Sequence, residues 1–123
     1  MSRVVHFDLN AKNPERAIKF YETIFDWEFN KWEGPMEYWM IKTGEKSEPG
    51  IDGGMSKIDD APGFETSVTI DVESIDNVVK QIRDFGGEII QPKMAIPGVG
   101  WFAQFKDTEG NKLGIMQDDP SAN

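Results

Sequence analysis

The sequence contains no cysteine, which excludes disulfides, thiolate metal sites and a cysteine nucleophile. Histidine occurs once, at position 6, so any imidazole chemistry falls to one residue. Basic residues are scarce beside acidic ones, 13 Lys and Arg against 22 Asp and Glu, for a formal charge of −9. Nucleic acid and anionic membrane surfaces call for clustered Lys and Arg, so neither is expected as a partner. The acidic excess otherwise bears on solubility, and a salt-adapted host would give the same bias. No apolar run approaches the ~18 residues of a membrane span, and the start MSRVVHFD lacks the apolar core of a signal peptide. A cytoplasmic protein is expected. There is no nucleophile motif, no phosphate-cradling glycine loop and no zinc-finger spacing; GVG at Gly98 to Gly100 is too short to count as one.

What is present is a repeat. The 123 residues, 38% hydrophobic and 11% aromatic, suffice for one compact domain with a real core. The run VVHFDLNAKNPERAIKFYETIF, Val4 to Phe25, returns 61 positions later as TSVTIDVESIDNVVKQIRDFG. Under that shift His6 falls on Ser67, Asp8 on Thr69, Tyr21 on Ile82, Gly53 on Gly114 and Met55 on Met116. Few letters are identical; the pattern repeats, and the chain reads as two copies of one unit.

Val4 to Leu9 alternates, with Val5, Phe7 and Leu9 on one face and His6 and Asp8 on the other, which predicts a strand. Asn13-Pro14 opens a helix as cap and first residue, and Ala17, Ile18, Tyr21, Ile24 and Phe25 form its buried stripe. Strands are predicted over Trp27 to Trp32, Tyr38 to Thr43 and Ile51 to Ile58, separated by Gly34-Pro35 and the polar turn Gly44 to Gly50. Gly53-Gly54 inside the last of these marks a bulge or a close approach. The second copy has a strand at Ser67 to Val72. Ser74 then caps a helix striped by Ile75, Val78, Val79, Ile82 and Phe85, which Gly86-Gly87 ends. Strands follow at Glu88 to Gln91, Trp101 to Lys106 and Lys112 to Gln117, with turns at Pro97 to Gly100 and Asp107 to Asn111. The chain is thus one domain of two βαβββ modules, residues 3–58 and 66–117. A linker, 59–65 (with DDAPG at its start), joins them, and a polar tail, 118–123, is expected to fray. Two such α+β units can curl their sheets into a cup with the helices outside, its inner face lining a cavity.

The repeat, HFDL before a proline-led helix, AIKFYETIFDWEF and the closing DTEGNKLGIMQ together resemble the vicinal oxygen chelate superfamily. That superfamily comprises glyoxalase I, the bleomycin and fosfomycin resistance proteins and the extradiol dioxygenases, and the likeness is greatest to its small glyoxalase-related members. It covers nearly the whole chain and implies the glyoxalase/bleomycin resistance/dioxygenase fold, a mixed sheet of two βαβββ modules. It also implies a homodimer. Enzymes of the family hold one divalent metal with four side chains, from the first and last strand of each module, and use it to polarise substrate oxygens. His6 matches the first of these positions. Ser67 stands where the family places His or Gln, Gly114 where it places Glu, and the repeat shift puts Gly53 at the fourth. Glycine has no donor and a serine hydroxyl is a poor ligand for Zn, Ni or Mn, so no metal and no cofactor are expected. Asp52 is expected on the opposite face unless a bulge turns it round.

Each singled-out residue has a functional and a plain reading. His6 is a ligand-binding or acid–base group, or a polar residue satisfied by water or backbone; Asp8 lies two residues on, on the same face. Gly53 and Gly114 make room for a ligand or relieve crowding between strands. Met55 and Met116 are an adaptable apolar wall or ordinary core. Trp32, Tyr38, Trp39, Trp101 and Phe102 are core or the aromatic rim of a pocket. The expected ligand-binding set is His6, Asp8, Gly53, Met55, Ser67, Thr69, Trp101, Gly114 and Met116, with His6 the catalytic candidate. The resemblance and the missing ligands point to a small-molecule-binding protein of glyoxalase/bleomycin-resistance type without the metal site. A glyoxalase-like lyase or isomerase acting on a small oxygenated metabolite is the alternative. A pure interaction module with a filled cavity is a third class.

Overall fold

The computed structural model describes residues 2–58 and 65–123. The element order is β1 (Arg3–Ala11), α1 (Pro14–Phe25), β2 (Glu28–Lys31), β3 (Tyr38–Lys42), β4 (Asp52–Lys57), β5 (Ser67–Asp71), α2 (Ile75–Asp84), β6 (Glu88–Ile96), β7 (Gly100–Lys106) and β8 (Lys112–Asp118). This is the expected α+β arrangement, βαβββ twice. The expected linker at 59–65 falls, but for Glu65, outside the described residues. The chain divides into two compact units, His6–Thr66 and Ser67–Asn123, with the residues up to Val5 grouping with the latter.

In the first unit the strands lie in the order β2-β3-β4-β1. β1 and β4 are parallel, pairing His6 with Asp52, Phe7 with Gly53, Asp8 with Gly54 and Leu9 with Met55. β3 runs antiparallel to β4, pairing Tyr38 with Ser56, Trp39 with Met55 and Met40 with Gly54. Side chains of paired residues share a face. One face therefore carries Phe7, Leu9, Met55, Trp39 and Ile41, which pack with Ala17 and Ile18 of α1 around the buried Ala11, Ile41 and Met55. The other carries His6, Asp8, Tyr38 and Met40. α1 starts where Asn13 Oδ1 accepts from the backbone N–H of Arg16 at 3.1 Å, with Pro14 next, and it stops at Asp26 in the left-handed region (φ 60°).

The second unit repeats the plan in the order β5-β8-β7-β6. Its core is Val72, Ile75, Ala103 and Ile115, with Ile70, Val78, Val79, Ile82, Trp101 and Phe105 against it. Ser74 caps α2 by accepting from Asn77 N–H at 3.3 Å, and Gly86 follows the helix at φ 95°. β6 extends to Ile96, past the expected end at Gln91, through register shifts on either side of Gln91 that accommodate Pro92 in a strand at the end of the order. The tail does not fray. Ala122 is 3% exposed, its carbonyl accepts from Gly98 N–H at 3.0 Å, and Asp119 Oδ2 accepts from Trp101 Nε1 at 3.0 Å. Hydrogen bonds from Ser121 first, and from Trp101 next, hold the Asp119 carboxyl below the usual range. Three polar contacts and one buried methyl outweigh the tail's polar composition.

Candidate functional site

On the face of the first unit turned away from α1, three polar side chains meet. His6 Nε2 lies 3.2 Å from Asp8 Oδ1 and 3.2 Å from Tyr38 Oη; Tyr38 Oη donates to Asp8 Oδ1 at 3.4 Å. His6 and Asp8 are neighbours on one face of β1, as alternation requires. Tyr38 comes from β3, two strands away, about 10 Å at sheet spacing. Its ring must pass over β4, and the residue beneath it is Gly54: a Cβ built there would coincide with the Tyr38 hydroxyl. Trp32 packs edge-on against Tyr38, centroids 6.2 Å apart at 85°, and its own ring covers Gly34. Burial, then the charge of Asp8 and its hydrogen bond, push the Tyr38 phenol well above its ordinary value, so it stays a neutral donor.

That upward shift has a measurable consequence. A group whose pKa is raised on folding lends stability that is fully present below its unfolded value and lost as pH rises toward the folded one. Stability is therefore expected to fall from about pH 10, the ordinary tyrosine value, where the unfolded chain releases a proton that the folded chain keeps. Tyr38→Phe removes this contribution. Urea denaturation in steps from pH 8 to pH 11 checks it; equal slopes for the two proteins would contradict it.

The sequence-predicted residues divide between faces. His6 and Asp8 are brought together. Gly53 and Met55 lie on the opposite face: Met55 is 1% exposed in the core, and a Cβ at Gly53 would strike the Phe7 carbonyl and ring. The reason is a one-residue slip. Asp8 pairs with Gly54 and Thr69 pairs with Gly114, so an offset of 61 in the opening strands becomes 60 in the closing ones. A one-residue slip exchanges the faces of a strand. Gly54, not Gly53, is the counterpart of Gly114. The same slip puts Asp52 in register with His6, contrary to the expectation that it faces away; its carboxylate accepts from Thr43 N–H at 2.8 Å.

In the second unit Ser67, Thr69, Gly114 and Met116 occupy the face away from α2, with Thr69 4% exposed. Phe102, paired with Met116, lies over Gly114 as Tyr38 lies over Gly54; its ring would be 2.7 Å from a Cβ there. Both units thus share an aromatic side chain laid over a closing-strand glycine, but among the described residues only the first unit's aromatic carries a hydroxyl and meets an acid–imidazole pair. Trp101 is on the helix side, packed on the core, with Lys93 Nζ 4.7 Å from its ring centre. Tyr38 is the site residue that the repeat shift misses, because the shift aligns it with Val99; strand pairing aligns it with Phe102. A groove of about 430 Å³ between α2 and β6, lined in part by Lys93, holds none of the expected ligand-binding residues.

Of the four family ligand positions, those of the first unit carry His6 and, whether Gly53 or Gly54 is taken, a glycine, and those of the second carry Ser67 and Gly114, neither a useful donor. Among the described residues no three His, Asp or Glu side chains converge on a point.

A fold of two βαβββ modules with a polar cluster on a sheet face away from the helix defines a class, and sequence comparison agrees. Residues 3–115 match the model of the Glyoxalase/Bleomycin resistance protein/Dioxygenase superfamily, and the chain belongs to that family. Among solved structures, it is similar to a superfamily member from Vibrio splendidus (20% identity, 96% of this chain and 100% of that one, TM-score 0.65). It is similar also to methylmalonyl-CoA epimerase from Mycobacterium tuberculosis (12%, 95% and 88%, TM-score 0.70). A protein from Legionella pneumophila described as an NAD-dependent benzaldehyde dehydrogenase matches at 20% identity over 93% of this chain and 98% of that one, TM-score 0.65. At these identities the likeness is one of fold. No curated protein matches the chain. Among the described residues no helix is long and apolar enough to cross a membrane.

Proposed function

We propose that the chain is a small-molecule-binding protein whose site is centred on His6, Asp8 and Tyr38 and works without the family's metal. The observation that supports this most is the three-way hydrogen-bonded cluster held on a half-open sheet face, with His6 and Asp8 side chains 35% and 31% exposed. Buried polar clusters serve structure; one that still reaches solvent can exchange a water for a ligand oxygen. Around it stand the apolar Met40 and Trp32, 49% and 36% exposed, which suit a flat or flexible organic body. The ligand class is a small oxygenated molecule, its carbonyl or carboxylate oxygen hydrogen-bonded by Tyr38 and its apolar part against Met40. Relatives with this fold include an epimerase solved with methylmalonyl-CoA, which is in keeping with an acyl or keto compound. The homodimer and the cytoplasmic location belong to the same proposal. The glyoxalase-like lyase or isomerase, in its metal-assisted form, draws no support from the donor set.

A thermal-shift screen of small keto acids, acyl thioesters and aldehydes tests the site. A compound that binds only the folded state raises the melting temperature with its concentration. The expected result is a shift in the wild type that is lost in His6→Ala and reduced in Tyr38→Phe. Equal shifts in all three proteins, or none in any, would overturn the assignment.

A further inference from the structure

The groove of about 430 Å³ in the second unit has one wall from α2 and one from β6. Asp76, Val79, Lys80, Arg83 and Asp84 follow one another at the spacing of neighbours on a single helix face. Ile89, Pro92 and Lys93 stand opposite them. Val79 packs against the core of the unit, and Ile89 pairs with Phe105, which does the same, so the floor is apolar. Register shifts on either side of Gln91 interrupt the regular course of β6, and such bulges re-aim side chains. Lys93 is turned toward α2, where its Nζ meets Asp76 Oδ1 at 3.2 Å. That contact changes the charge balance of the helix face. Asp76 stands four residues before Lys80, the favourable order for a helix ion pair, yet its carboxylate is engaged by Lys93. Asp84 stands four residues after Lys80, the weaker order, and makes no pair with it. Among the described residues neither Lys80 nor Arg83 forms an ion pair. Two neighbouring cations are thus left beside an apolar floor in a chain of formal charge −9. At about 0.1 M salt, charges more than about 10 Å away are largely screened, so the groove's own pair decides what enters it.

We propose that this groove is a second binding site, for a small organic carboxylate with a compact apolar body. Arg83 and Lys80 hold the carboxylate, and the hydrocarbon part lies on Val79, Ile89 and Pro92. The guanidinium offers a planar fork that matches two carboxylate oxygens, and the ammonium adds a point charge. The volume falls in the range of small-ligand pockets, roughly 300–1,000 Å³. Lys93 takes no part in the binding, because Asp76 already neutralises it. The groove shares no residue with the cluster of His6, Asp8 and Tyr38, so it stands whether or not that cluster binds a ligand.

The probe is 3-phenylpropionate, with 3-phenylpropanamide as its uncharged counterpart. Titration of ¹⁵N-labelled protein, followed through the backbone amide shifts, both locates and measures binding. The expected result is a saturable response to the acid centred on α2 and β6, with the amide bound about 10-fold more weakly or worse for want of charge-assisted hydrogen bonds. Lys80→Gln combined with Arg83→Gln is expected to weaken the acid by about 10-fold or more and to leave the amide as it was. Both positions are exposed, and glutamine is as good a helix former as either cation, so the fold is retained. Arg16→Gln combined with Lys19→Gln removes the same two charges from α1 and is expected to leave the acid's affinity at its wild-type value. The proposal is overturned by a response that does not saturate, by equal binding of acid and amide, or by an equal loss in the α1 pair. A response confined to the strands that carry His6 and Tyr38 overturns it too, and assigns the acid to the first site.

Discussion

Gly54→Val is expected to dismantle the His6–Asp8–Tyr38 cluster and to cost about 2–3 kcal/mol of stability, the range for forcing atoms into a packed site. Gly54 is buried in the middle of β4, and the Tyr38 hydroxyl occupies the space that any Cβ would fill. A side chain there cannot be accommodated by a small rotation of the tyrosine, since the phenol reaches β1 only by crossing this point. Tyr38 must leave, and its bonds to His6 and Asp8 go with it. Two measurements check this: urea denaturation for stability, and the alkaline slope of stability, which should come to resemble that of Tyr38→Phe. A valine variant of near wild-type stability with its alkaline slope intact would show that Tyr38 does not lie over β4.

Ile75→Ala is expected to lose about 3–4 kcal/mol, within the range for truncating a buried isoleucine, with no change in the cluster around His6. Ile75 is fully buried in the first turn of α2, where it meets Val72, Ala103 and Ile115. Its backbone N–H is also held by Gln117 Oε1 at 2.9 Å, so the helix end is fastened to β8 and cannot easily close over the cavity left by a smaller residue. This is a large part of the ~5–15 kcal/mol that holds a domain of this size together. Urea denaturation at neutral pH measures it. A loss below about 1 kcal/mol would mean that the site collapses to fill the gap, contrary to the close packing described.

The βαβββ repeat was legible because it rests on strong local signals: Asn13-Pro14 and Ser74 at the helix starts, Gly86 at a helix end, and alternation through Val4 to Leu9. Half of the site was legible for the same reason, since alternation alone puts His6 beside Asp8. The other half depends on register. Nothing in the letters Asp52 to Ser56 says that β4 is offset by 60 where β1 is offset by 61, yet that one residue moves Gly53 and Met55 into the core and puts Gly54 under Tyr38. Tyr38 itself was visible only as one of several aromatics; its role depends on strand pairing and on the glycine between it and β1. Trp101 was ambiguous because both faces of β7 carry aromatics, and the core of the second unit takes this one. The docked tail depends on the tryptophan N–H, on backbone bonds to Gly98 and Val99 and on one alanine methyl, which composition cannot register.

The central claim is a metal-free small-molecule site at His6, Asp8 and Tyr38. Native mass spectrometry of protein purified without a metal-affinity column tests it most directly, run side by side with Gly54→Val. The expected result is a wild type without stoichiometric divalent metal that carries an organic mass, either co-purified or added as a hit from the screen, and a valine variant that does not retain it. One tightly bound metal ion per chain, or an organic ligand retained equally by both proteins, would contradict it.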